Sequence, residues 1–92
     1  MNTYYETENG FAYGEEQEMP LGRVTVRKLG PNRVALDHTY VKPELRGQGI
    51  AKELVLLVAR KAQKEGWTIV PTCSYARRVL EADASLRPLI AE

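Results

Sequence analysis

The chain has 92 residues, 43% of them hydrophobic, which suits one folded domain with a single core and excludes two. Lys and Arg number 13 against 12 Asp and Glu, so the net charge of +1 fits neither a strongly cationic polyanion binder nor an acidic solvating chain. The imbalance is local: residues 1–22 hold five acids and no Lys or Arg, leaving residues 23–92 at +6, a body expected to attract anions. The single Cys73 cannot make an internal disulfide, and no apolar N-terminal run resembles a signal or a membrane span, so a reducing, cytoplasmic setting is expected.

Residues 1–10 are polar and acidic apart from Tyr4 and Tyr5, and read as a weakly specified lead-in or a short edge strand. Phe11–Tyr13 suits a short strand and Gly14–Glu18 an acidic turn. Val24 and Val26 then alternate with Arg23, Thr25 and Arg27, the period of a half-buried strand. Leu29-Gly30-Pro31-Asn32 punctuates a reversal into Arg33–Val41, rich in β-branched and aromatic residues, so the two runs are predicted to form a hairpin. From Ile50 the period becomes helical. Ile50, Ala51, Leu54, Val55, Val58 and Ala62 share one face, Lys52, Glu53, Arg60, Gln63 and Lys64 the other, and Gly66 is placed to end the helix. Trp67–Cys73 is a short apolar strand, so Arg33–Cys73 forms a strand, loop, helix, strand unit whose strands run parallel through a right-handed crossover. Pro71 lacks a ladder donor, and pairing is expected to splay near it. Ser74 is placed to cap a last helix carrying Ala76, Val79 and Leu80, and Leu86, Leu89 and Ile90 supply a final apolar segment. The predicted fold class is α/β (α+β): one domain over residues 1–92, with a mixed sheet of antiparallel N-terminal strands leading into the parallel unit and helices packed on the sheet.

The chemistry-bearing segment is the loop Arg46-Gly47-Gln48-Gly49-Ile50-Ala51. Two glycines let the backbone turn sharply and let a ligand approach its amides, and a helix begins at once, so unpartnered N–H groups and the positive end of its dipole face outwards. That combination suits a phosphate. A Walker loop needs Lys and then Ser or Thr after its last glycine, where Ile50 stands here. A dinucleotide fingerprint needs a small residue three places after Gly49, where Lys52 stands, and an acid after the second strand, which is missing. The bland alternative is a glycine turn that only starts a helix.

The run Val41 to Ala51 resembles the acetyl-coenzyme A loop of the GNAT superfamily of N-acetyltransferases, Arg/Gln-x-x-Gly-x-Gly/Ala, with Arg46, Gly49 and Ala51 in the three specified places. His38-Thr39 before the loop and Pro71-Thr72-Cys73-Ser74-Tyr75 after the second strand resemble the short, single-domain members. The resemblance implies a minimal GNAT-like fold and an acetyl-CoA-dependent N-acetyltransferase acting on an amine of a protein or small molecule. It implies pyrophosphate on the amides of Gly47, Gln48, Gly49, Ile50 and Ala51, with Arg46 beside them, and backbone bonds from Thr39 and Val41 to pantetheine lying between splayed strands. Lys52 and Arg77 are further candidates for phosphate contacts, and Ser74 for a contact at the start of the last helix. The usual general-acid Tyr would fall near Leu80 or Glu81, where there is none, and the N-terminal helices that commonly wall the acceptor site have no counterpart, so an open, shallow groove is expected.

His38 and Cys73 are the catalytic candidates. On alternation alone His38 shares a face with Val34, Leu36 and Tyr40, which reads as a core histidine, and Asp37 points the other way and cannot orient it as in a hydrolase triad. Under the resemblance it lies near the thioester end as a general base. Cys73 alone reads as a small buried hydrophobe; just before a helix N-terminus it can also favour thiolate and relay an acyl group. One His and one Cys do not complete a tetrahedral metal set, so no metal is expected. Two function classes stand: an acetyltransferase, or a CoA- or acyl-CoA-binding module with little turnover. Nucleic-acid binding is disfavoured, because the bases do not cluster with stacking aromatics in the sequence.

Overall fold

The computed structural model describes residues 1–91. The apolar and polar alternation of the first half of the chain becomes four strands: β1 (Thr3–Thr7), β2 (Gly10–Gly14), β3 (Gly22–Gly30) and β4 (Arg33–Val41). After a 3-10 turn at Pro43–Leu45 come helix α1 (Ile50–Glu65), strand β5 (Thr68–Pro71), helix α2 (Ser74–Ala82) and a second 3-10 turn at Arg87–Leu89. The strands lie in chain order in one sheet, antiparallel from β1 to β4 and parallel between β4 and β5. The expected α+β architecture is therefore the one observed, and the lead-in supplies an edge strand. Ile90 bridges Ile69 in parallel and Ala91 donates to the Ile69 carbonyl, so the final apolar segment covers the outer edge of β5.

Helix α1 lays Ile50, Leu54, Val55, Val58, Ala59 and Ala62 on the sheet, where they meet Val24, Val34, Leu36, Val41 and Ile69, while Ala76 and Leu80 of α2 join the same core beside it. Leu36, Leu54, Ile69 and Leu80 are fully buried, and each contributes roughly 1.5–3 kcal/mol of hydrophobic stabilisation. Gly66 stops α1 in the left-handed conformation (φ 76°), with its N–H and that of Trp67 both given to the Ala62 carbonyl. Gly10 answers a different need. A Cβ there would stand 1.9 Å from the Val24 carbonyl oxygen, so only glycine lets β2 lie this close to β3.

One irregularity in β4 sets the geometry of everything beyond it. Val26 opposes Leu36 and Thr25 opposes His38, which leaves Asp37 as an extra residue, a β-bulge. Alternation therefore restarts at this point: Val34, Leu36 and Val41 are buried and Thr39 is half-buried, while His38 and Tyr40 are exposed. The expectation that His38 shares the core face of Val34 and Leu36 is corrected. It lies with Tyr40 on the opposite face, and Asp37 joins it there, hydrogen-bonded to Arg27 Nε at 3.3 Å and to the Thr72 hydroxyl at 3.2 Å. No helix among the described residues packs on that face, since α1 and α2 both lie on the other. No helix of the described residues is long and apolar enough to cross a membrane.

Candidate functional site

Strands β4 and β5 pair only from Arg33 opposite Thr68 to Leu36 opposite Pro71. Beyond that point they part. The divergence falls where Pro71 predicted it, for a different reason. The donors that β5 turns toward β4 are Thr68 and Thr72, given to the carbonyls of Asn32 and Leu36 at 2.8 and 3.1 Å; Pro71 is out of phase with them, and its missing N–H belongs to the outer edge. The parting is made by the Asp37 bulge on one strand and by the turn into α2 on the other, where Thr72 N–H, Thr72 Oγ1 (3.0 Å) and Cys73 N–H (3.3 Å) all converge on the Leu36 carbonyl.

Asp37–Val41 thus has β3 on one side and a gap on the other. Lys42 N–H goes to the Leu21 carbonyl, so the period of two turns Tyr40 and His38 toward β3, and the backbone groups of Thr39 and Val41 toward the gap. The gap opens into a groove of about 550 Å³ lined by Thr39, Val41, Arg46, Gly49, Ala51 and Tyr75, among others. At its far end Gly47 (φ 88°) and Gly49 (φ 83°) take left-handed conformations, and the space where their Cβ atoms would stand is clear for 4 Å. Gly49 caps α1, and the first bond of the helix runs from Glu53 N–H to the Gly49 carbonyl at 3.0 Å, so the amides of Ile50, Ala51 and Lys52 have no partner within the helix. Arg46 bends back, giving Nε to the Val41 carbonyl at 3.1 Å and fixing the loop to the strand it leaves.

An apolar-walled groove, strand backbone turned toward it along one side and a glycine cradle at a positive helix end together fit an extended ligand with a phosphate at one end. The family model for GCN5-related N-acetyl-transferases matches residues 10–89. The chain belongs to this family. Among solved structures it is similar to a GCN5-like candidate N-acetyltransferase from Staphylococcus aureus, with 31% identity, a TM-score of 0.79, and coverage of 97% of this chain and 87% of the other. A ribosomal-protein-alanine N-acetyltransferase from Brucella melitensis gives 26% identity and a TM-score of 0.60 over 82% of this chain and 60% of that one. A GNAT N-acetyltransferase from Escherichia coli solved in complex with CoA shares the fold at 24% identity and a TM-score of 0.55, over 67% of this chain and 38% of its own. This family member thus spans only about 38 to 60% of those larger enzymes. No curated protein matches the chain.

Within this GCN5-related fold the two catalytic candidates are separated by the sheet. Cys73 is half-buried at the N-cap of α2, displacing Ser74, which is exposed in the first turn. The Cys73 thiol lies 3.8 Å from Thr39 Oγ1, on the core side. Burial alone would raise its pKa, but the backbone N–H of Ala76, the Thr39 hydroxyl and the N–H of Tyr75 outweigh it and hold the thiol below its ordinary value. His38, the residue before Thr39, points to the opposite, open face. Gln48 is exposed on the loop, and Lys52 lines the groove. Arg77 lies outside the groove lining and approaches Glu81, one turn on, at 3.6 Å. Sequence reasoning did not place Tyr40, Leu45 and Tyr75 in the lining. For Tyr75 the signal was available, because the second residue after a cysteine at a helix N-cap sits in the first turn, beside whatever that cysteine faces.

Proposed function

We propose that this protein is an acetyl-CoA-dependent N-acetyltransferase. The observation that carries the reading is the parting of β4 from β5 directly onto the glycine cradle of α1. Acetyl-CoA fits it, since the cradle is open where side chains would stand and the backbone of Thr39 and Val41 faces the gap. In this reading the amides from Gly47 to Ala51 hold the pyrophosphate, with Lys52 adding charge from the first turn of the helix, and Thr39 and Val41 align the pantetheine. Bound acetyl-CoA supplies an activated thioester; the acceptor nitrogen bonds to the acyl carbon, the C–S bond breaks, and CoA leaves with its sulfur. His38, exposed on the open face beside the gap, takes the proton the amine loses.

Acetyl-CoA titrated calorimetrically into wild type should bind, and Gly49→Asp should lower its affinity by roughly tenfold or more, because a carboxylate then occupies the anion site. Unchanged affinity in a folded Gly49→Asp protein would remove the cradle from the reading. His38→Ala should slow amine-dependent thiol release by roughly 10²-fold with the acetyl-CoA affinity intact. A second reading rests on the lowered pKa of Cys73, which suits an acyl relay. Intact-protein mass after brief exposure to acetyl-CoA without acceptor separates the two: direct transfer leaves the mass unchanged, whereas a relay adds one acetyl group that Cys73→Ser abolishes.

A further inference from the structure

The sheet face turned away from α1 and α2 has a charge pattern of its own. The register places Arg23 opposite Tyr40 and Thr25 opposite His38, so Arg23 is a diagonal neighbour of His38, roughly 7–8 Å away. Arg33, in phase with Ala35 on the same face, lies on the other side of His38, roughly 15 Å along β4 at about 3.3 Å per residue. Arg27 completes a set of three exposed arginines on strands β3 and β4, and the acid among them, Asp37, is taken by Arg27 itself. Among the described residues Arg23 and Arg33 have no ion-pair partner. The uncompensated charge therefore brackets His38.

The shape of this face narrows what can use that charge. Small molecules are usually held in concavities that bury most of their surface, whereas this face is one side of a bare sheet, with both helices packed on the other. An extended polypeptide can lie along such a face and meet charges on either side of a central residue. The geometry points to an acidic polypeptide segment as the partner of this face, docked with carboxylates on Arg23 and Arg33 and with its accepting amine at His38. In extended form, those separations place one acid about two residues from the amine and the other about four to five residues away on the opposite side. That the docked segment is also the acceptor rests on the transfer reading above; the docking itself rests on the charge of the face.

The two can be tested apart. Fluorescein-labelled peptides with one central lysine, flanked at those spacings by Glu, by Gln or by Lys, are titrated with the full chain in the presence of CoA and followed by anisotropy. The Glu peptide should bind most tightly and weaken as salt rises. Arg23→Gln and Arg33→Gln, both substitutions of exposed side chains, should each weaken it by roughly two- to five-fold and leave the Gln peptide and the affinity for CoA unchanged. Equal binding of the three peptides, no effect of either arginine, or displacement of the Glu peptide by an oligouridylate that binds more tightly would each overturn the proposal. Acetylation is read separately by mass. A Glu peptide that binds as expected but gains no acetyl group supports the docking surface and counts against the transfer reading alone.

Discussion

The two halves of β4 differ in both composition and pairing, and they serve opposite ends. From Arg33 to Leu36 the strand is paired on both sides, and Val34, Ala35 and Leu36 are all buried. From Asp37 to Val41 it is paired on one side only, His38 and Tyr40 are exposed, and the backbone of Thr39 and Val41 faces the groove. Along this strand the change from Val34, Ala35 and Leu36 to Asp37, His38, Thr39 and Tyr40 coincides with the loss of a neighbour. A strand that loses its partner partway keeps its rigidity from the paired half and turns the backbone of the unpaired half toward the groove.

The sharpest way to break this comparison is to truncate one residue in each half. Leu36→Ala should cost roughly 2–5 kcal/mol in denaturant unfolding, since it opens a cavity under α1, whereas Tyr40→Ala should stay within about 0.5 kcal/mol. Comparable losses would show that the second half is structural too. A smaller effect is expected at the junction. Thr72→Val removes the hydroxyl shared between the Leu36 carbonyl and Asp37, and should cost about 1 kcal/mol in the same measurement. The smallest effect, read as a pH profile, is at Cys73. Its iodoacetamide alkylation should rise with pH to a plateau whose midpoint lies below that of an ordinary thiol, and Thr39→Val should move the midpoint upward by removing one donor to the thiolate. The sign for stability follows from the lowered pKa: the thiolate's contribution is fully present above the unfolded thiol pKa and is lost as pH falls through the folded value.

Much of this arrangement was legible in the sequence, because each legible part has a period or a breaker behind it. The helical run from Ile50 to Gly66, the hairpin across Gly30-Pro31 and the glycine cradle all stand where residue spacing placed them. The bulge did not show, because Val34, Leu36, His38 and Tyr40 keep an unbroken two-residue spacing while the strand beneath them skips a step at Asp37. That hidden step put His38 on the wrong face. Pro71 pointed to the correct place through the wrong donor, since the side of β5 that faces β4 is fixed by pairing and cannot be read from one residue. The N-cap fell on Cys73 rather than Ser74, one position from the residue whose side chain is the better capping group.

Asp37 behaves as a frameshift written into structure. Without it, Leu36 would be followed directly by His38, every other β4 side chain would keep its present face, and the ladder with β3 would run without interruption from Gly22 to Lys28. The deletion would make this stretch of the sheet more regular and remove one of the two features that part β4 from β5, leaving only the turn into α2. For this chain, one residue thus holds open part of the gap beside Thr39 and Val41, and its carboxylate is the group that ties Arg27 of β3 to Thr72 beyond β5.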